Sequence, residues 1–197
     1  VSVTLRVNPV VLSGEQVRLE PMSLEHAHGL YNRGRNAADW QYLPRSCFVD
    51  LSDTRQWVEE ALAAPDQLPF VIVEQGKNKV VGSTRYLTIR PAHRSLEIGW
   101  TWLGQEWQRT GVNTEVKLLL LSHALERLGC LRVEFKTDAR NLRSQRALER
   151  IGATREGVLR KHMIVQGDYS RDSVYFSVID SDWPQVKERL TLLRERS

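Results

Sequence analysis

Gln16-Val-Arg-Leu-Glu-Pro-Met22 alternates polar and apolar side chains, the period-two pattern of a half-buried strand. Ser23 then offers a capping hydroxyl ahead of Leu24-Glu25-His26-Ala27, and the spacing predicts a helix to about Arg35. A second helix is predicted from near Ser52, with Trp57, Val58, Ala61 and Leu62 at helical intervals and Pro65 beyond its end. Pro69–Gln75 and Lys79–Ile89 are rich in branched residues and joined by Gly76-Lys-Asn78, which reads as a hairpin. The turn Arg90-Pro-Ala-His93 leads into a further strand over 94–103.

From 112 to about 128 the apolar residues cover so much of a helix surface that deep burial is expected. Leu131–Thr137 reads as a strand, Asn141–Ile151 as a shorter helix stopped by Gly152, and 154–165 and 171–179 as two strands parted by Gln166-Gly-Asp168. Ser181-Asp182 caps a final helix over about 181–195. The order βααβββαβαββ mixes hairpins with strand–helix–strand crossovers and predicts an α/β fold, a mixed sheet flanked by helices. No repeat or linker interrupts it, so residues 1–197 are expected to form one domain with its core over about 16–179.

Composition narrows the class. Hydrophobic content of 41% and charged content of 26% are those of a soluble globular protein. No stretch approaches the ~20 apolar residues that span a bilayer, so no membrane association is expected. No basic segment leading into an apolar core is seen at the start, and only Cys47 and Cys130 occur, so a cytoplasmic protein without disulfides or a metal site is expected. His26 and His28 are two apart and cannot share one helix face as metal ligands. The net charge of +4 suits an anionic ligand. The basic residues are dispersed among acidic ones, which argues against a nucleic-acid partner.

The chemistry concentrates at 96–121. Leu96-Glu-Ile-Gly-Trp-Thr-Trp-Leu103 is a strand-like run, and a short loop with Gly111 then opens the long helix. Such a loop presents unpaired backbone N–H groups at the positive end of the helix dipole, a natural anion cradle. Gln108 and Arg109 stand beside it, and Arg109 adds a full charge. A phosphate-bearing cofactor is therefore expected. The glycine spacing excludes a P-loop and a dinucleotide fingerprint.

The segment Gln108-Arg109-Thr110-Gly111-Val112-Asn113 resembles the pyrophosphate loop, Gln/Arg-x-x-Gly-x-Gly/Ala, of the GNAT superfamily of acetyl-CoA-dependent N-acetyltransferases. Its last position departs from the usual small residue, and Asn113 suggests a modified loop, since Asn tolerates left-handed and cap geometries. Further resemblances follow in order: Leu96-Glu-Ile-Gly-Trp100, Asn141-Leu-Arg-Ser144 ending in Arg150-Ile-Gly-Ala153, Thr154-Arg-Glu-Gly157, and Tyr169-Ser-Arg-Asp172 with Tyr175-Phe-Ser177. The last two are similar to the RimJ/RimL-like branch, the ribosomal-protein N-terminal acetyltransferases.

The resemblance implies acetyl-CoA as co-substrate, no metal, and direct attack by an amine in a ternary complex. It implies strands near 96–102 and 131–137 that splay apart so that freed backbone groups bond the pantetheine arm. Trp100, Thr101 and Trp102 are assigned to that contact, chiefly through backbone atoms, and Gln108 to Thr114 to the pyrophosphate. Ser144 would donate to the leaving thiolate, and Asn141 would cap its helix while contacting pantetheine. A backbone N–H of the 100–102 strand would polarise the carbonyl. Two carboxylates compete as the base that neutralises the amine. Glu156 matches the acidic position of the ribosomal branch and is preferred; Glu97 lies on the strand lining the cleft.

The acceptor side is expected between the first two helices and the last hairpin. In Asp39-Trp-Gln-Tyr-Leu-Pro-Arg45, Trp40 and Tyr42 would wall a slot and Arg45 would recognise an acidic group, with His93 a further contact. A protein N-terminus, a polyamine, an aminoglycoside or a small toxic amine would each fit. The stripe Trp183…Val186…Leu190…Leu193 suggests a homodimer. The rival readings are a regulatory protein that binds acetyl-CoA without catalysis and a basic nucleic-acid binder.

Overall fold

The computed structural model describes residues 4–196. Its strands are β1 (Leu12–Ser13), β2 (Val17–Pro21), β3 (Leu68–Glu74), β4 (Lys79–Arg90), β5 (Ser95–Leu103), β6 (Arg132–Asp138), β7 (Thr154–Val165) and β8 (Tyr169–Ile179). The helices are α1 (Ala27–Arg33), α2 (Ala37–Trp40), α3 (Leu51–Ala63), α4 (Val112–Ser122), α5 (Leu142–Ile151) and α6 (Trp183–Glu195). The strands form one sheet in the order β1-β2-β3-β4-β5-β6-β8-β7. All its pairings are antiparallel except β5 with β6. The expected mixed sheet flanked by helices is the observed architecture.

Each sheet face buries its own cluster. One holds Leu96, Ile98, Val133, Phe135, Phe176 and Val178 against α4, α5 and α6. The other packs Val71, Val73 and Trp102 against an aromatic group of Trp40, Phe48 and Trp57. Trp183, Val186 and Leu190 of α6 are buried in the first cluster, packed with α4 and α5. The apolar stripe that suggested a homodimer thus faces the chain's own core.

Two short elements were absent from the sequence reading, β1 and α2. Asn36 caps α2 by accepting the Ala38 N–H at 3.1 Å. The helix expected to run to residue 128 changes pitch, with a π-type turn over His123–Arg127. Gly152 ends α5 with φ of +93°, a left-handed angle that glycine adopts without strain.

One contact seats α4 on the sheet edge. Glu115 is fully buried and accepts the backbone N–H groups of Glu15, Gln16 and Val17 at 2.8, 2.9 and 2.9 Å. A β-carbon on Gly14 would lie 2.5 Å from the Glu115 carboxyl carbon, so the approach requires glycine there.

Candidate active site

β5 and β6 pair only over Ser95–Glu97 and Arg132–Glu134, while β6 stays bonded to β8 as far as Asp138. The parting has a local cause. Ser83 faces Trp102 and Arg85 faces Gly99 across β4 and β5, so β5 carries one extra residue. Trp100 takes φ of +52° within this bulge, and a bulge bends its strand. Such an angle is rare for an aromatic residue and marks an imposed geometry. Beyond it lies a cavity of about 880 Å³.

Arginines and backbone amides gather at one end. Gly111 caps α4, and the first amide bonded within the helix is that of Glu115, to the Gly111 carbonyl at 3.0 Å. The amides of the first turn are therefore free of helical partners. Arg109, Arg143, Arg146 and Arg150 line this end. Gln108 ties the loop down, its Nε2 donating to Asp39 Oδ1 at 2.5 Å and to the Leu103 carbonyl at 2.8 Å. The left-handed residue of the loop is Arg109, with φ of +60°. Asn113 lies in the first turn of α4, so the expected departure at that position is an ordinary helical one. Thr110 turns its hydroxyl onto the Trp107 carbonyl at 2.7 Å.

Asn141 caps α5 by accepting the Ser144 N–H at 3.0 Å, and both residues line the cavity. Glu97 also lines it and is 2% exposed. Burial raises its carboxyl above the usual range; Lys136, with Nζ at 3.2 Å from Glu97 Oε2, pulls it partly back. Thr101 exchanges a hydroxyl hydrogen bond with Thr84 at 2.8 Å and accepts one from Lys117 Nζ at 3.2 Å. Trp100, Thr101 and Trp102 line the cavity, but the Trp102 ring is buried among Trp40 and Phe48.

Four expected site residues lie elsewhere. Glu156 is exposed on β7, bonded to Arg132 Nη1 at 2.5 Å and to the Ser177 hydroxyl; Arg132 and Ser177 hold its carboxyl below the usual range. It does not line the cavity, whereas Glu97 does. Trp40 is wholly buried in the aromatic cluster instead of walling a slot. Arg45 pairs with Asp53 at 2.7 Å and stacks over Phe48, so its charge is engaged in holding its own loop. His93 is exposed in a 3-10 turn away from the cavity. Tyr42 does line it, beside Leu43 and Pro44.

Sequence reasoning missed Asp39, Lys117, Lys136 and Arg171, all of which line the cavity. Asp39 Oδ2 is buried without a hydrogen-bond partner among the described residues, and burial raises that carboxyl. It offers an acceptor to a ligand N–H or O–H. Lys117 is buried in α4, where burial alone pulls its ammonium down to about 7. Burial also pushes the Cys130 thiol up to about 11, which suits an inert core residue. Among the described residues no helix is long and apolar enough to cross a membrane, and no three His, Cys, Asp or Glu side chains are placed to hold a metal.

Comparison with known proteins agrees with this geometry. Residues 16–154 match the family described as an acetyltransferase (GNAT) domain. The chain is 33% identical over 95 residues to "Putative ribosomal N-acetyltransferase YdaF" of Bacillus subtilis, a match spanning 48% of this chain and 51% of that relative. It superposes on a GCN5-related N-acetyltransferase from Brucella melitensis with a TM-score of 0.90 and 29% identity, over 94% of this chain and 86% of that one. Mycobacterium smegmatis RimJ, solved in complex with CoA-disulfide, shares the fold with a TM-score of 0.78 at 22% identity, over 93% and 94% of the two chains.

Proposed function

The chain belongs to the GNAT family of acetyltransferases, and we propose that it transfers the acetyl group of acetyl-CoA directly to a primary amine in a ternary complex. The single observation that carries this reading is the splay of β5 from β6. It leaves a cavity with the first-turn amides of α4 and arginines at one end and the buried carboxylate of Glu97 at the other. RimJ/RimL-like kinship is the finer reading, favoured by the motifs around Arg155–Gly157 and Tyr169–Asp172 and by the likeness to YdaF over half of that relative's length.

In this reading the amides of the first turn of α4, with Arg109, Arg143, Arg146 and Arg150, hold the cofactor's phosphates. The freed edge of β5 bonds the pantetheine arm as another strand would. Asp39 Oδ2 supplies an acceptor beside the loop. Glu97 takes the proton of the incoming ammonium, directly or through water, and the neutral amine attacks the thioester carbonyl. The C–S bond breaks as the nitrogen loses its second proton, and the Ser144 hydroxyl relays a proton to the departing sulfur while taking that one up, so that an amide, a free thiol and an unchanged serine result. Tyr42 borders the acceptor side.

The test is to titrate the protein with acetyl-CoA by calorimetry and then screen amines and peptides for thiol release. Binding with amine-dependent release is expected; a folded protein that binds no acetyl-CoA would end this reading. Gly111→Val is expected to weaken acetyl-CoA binding tenfold or more, about 1.4 kcal/mol, while unfolding stays cooperative. Gly111 has ordinary angles, φ −63° and ψ −14°, so the variant adds bulk at the phosphate end without backbone strain. Unchanged affinity in the folded variant would remove the loop from the cofactor site.

A further inference from the structure

We propose that the acceptor is an amino acid in the chemical sense, a small amine that also bears a carboxylate, which Arg171 binds while the amine faces Glu97. This rests on the acetyl-transfer reading and adds to it the class of acceptor.

The placement follows from strand register. Glu97 pairs with Glu134, Lys136 stands two residues further along β6, and Lys136 pairs with Tyr175 of β8. Arg171 lies four residues before Tyr175, so Glu97, Lys136 and Arg171 project from one face of three adjoining strands. All three line the cavity, on the side bounded by Tyr42, Leu87 and Met163.

Glu97 and Lys136 pair at 3.2 Å. Arg171 is 4% exposed, yet its only side-chain hydrogen bond among the described residues runs from Nε to Ser173 Oγ at 3.1 Å. No described carboxylate lies within 4.0 Å of it. Asp138 is already engaged by Arg140 at 3.0 and 2.7 Å. Asp138 and Glu97 act on the guanidinium only at longer range, so its two terminal nitrogens keep a planar fork of donors without a hydrogen-bond or ion-pair partner among the described residues. A buried guanidinium is normally paired, and its geometry matches a carboxylate's two oxygens. Glu97 meanwhile attracts the positive end of such an acceptor. A site with a carboxylate and, on the same wall, a guanidinium with no described carboxylate within 4.0 Å therefore selects a molecule carrying both charges.

The experiment measures thiol release from acetyl-CoA with matched pairs of acceptors. Each pair is an amino acid, such as glycine, β-alanine, 4-aminobutyrate, glutamate or lysine, and its carboxamide. The best acid is expected to exceed its amide in kcat/KM by about tenfold or more, the scale of one charge-assisted pair. Arg171→Gln should erase that ratio by raising KM for the acid while kcat with saturating acceptor changes little. Arg171→Lys should keep part of it. Amides that serve as well as acids, or a preference that survives in Arg171→Gln, would overturn the assignment. Calorimetry with acetyl-CoA accompanies every variant. Binding of acetyl-CoA with no amino acid consumed overturns the proposed acceptor class alone, whereas no binding by the parent overturns the underlying reading. If Arg171→Gln loses acetyl-CoA binding through misfolding, the acid-to-amide ratio of a folded Arg171→Lys decides, and an undiminished ratio counts against the proposal.

Discussion

Glu97→Gln is expected to lower turnover about 10²–10⁴-fold, the range for losing general acid–base help, while acetyl-CoA still binds. Gln keeps the shape and a polar contact for Lys136 but cannot take a proton. Glu156→Gln should leave turnover near the parent's, since that carboxylate is tied to Arg132 and Ser177 outside the cavity. The pH profile provides a second reading. Burial holds Glu97 protonated to a higher pH than an ordinary glutamate, so activity should rise with pH through that raised value. Lys136 opposes the effect of burial, so Lys136→Met should carry the acid limb to still higher pH. A Glu97→Gln enzyme with parental turnover would show that no carboxylate base is needed and that the amine arrives neutral.

Lys117→Met is expected to stabilise the protein near neutral pH and to flatten its stability profile in base. The parent's amine has one hydroxyl partner, Thr101, and lies over the Phe135 ring at 5.2 Å, with no described carboxylate within 4.0 Å. Burial lowers its pKa from 10.5 to about 7. The unfolded chain therefore binds the proton more tightly than the folded one. Between about pH 7 and 10.5 the unfolded state holds more protons, and stability climbs as pH rises through that window. Below it the buried charge is a full liability, with a ceiling of roughly 5 kcal/mol at about 1.4 kcal/mol per tenfold in proton affinity. Met fills similar space without that liability. Urea unfolding at a series of pH values from 6 to 11 should show the parent's stability rising relative to the variant's. Parallel profiles would mean that the amine is solvated in the native state.

The elements legible in the sequence are those whose period was long and clean. β3, β4, α3, α5 and the β7–β8 pair follow the observed alternations within a few residues. The bulge in β5 was not legible, because Gly-Trp-Thr-Trp reads as an unbroken strand and nothing in Trp100 announces a left-handed angle. α2 is a single turn, too short to show a period. Trp40 was mistaken for a wall because aromatic residues suit slots and cores alike; its packing with Phe48 and Trp57 depends on contacts distant in sequence. Lys117 and Arg171 resembled the many solvated cations of an ordinary surface. A signal existed for Lys117: with Thr114, Leu121 and Ala124 it falls on one helical stripe, the buried one. Glu97 carried a similar sign, standing between Leu96 and Ile98 in a strand buried on both faces. Glu156 was preferred through resemblance alone, which does not register that Arg132 stands across from it.

The contact of Glu115 with three successive amides bears on how the molecule comes apart. Those amides belong to the bend between β1 and β2 and to Val17, the first residue of β2, near one edge of the sheet, where fraying ordinarily lets protons exchange with solvent. Releasing them would strand a fully buried carboxylate without donors, so the edge cannot peel back while α4 stays seated. That edge of the sheet and α4 are consequently expected to open together as a single foldon. Local breathing is expected first in other parts of the molecule, with the first turn of α4 keeping its orientation until that unit melts.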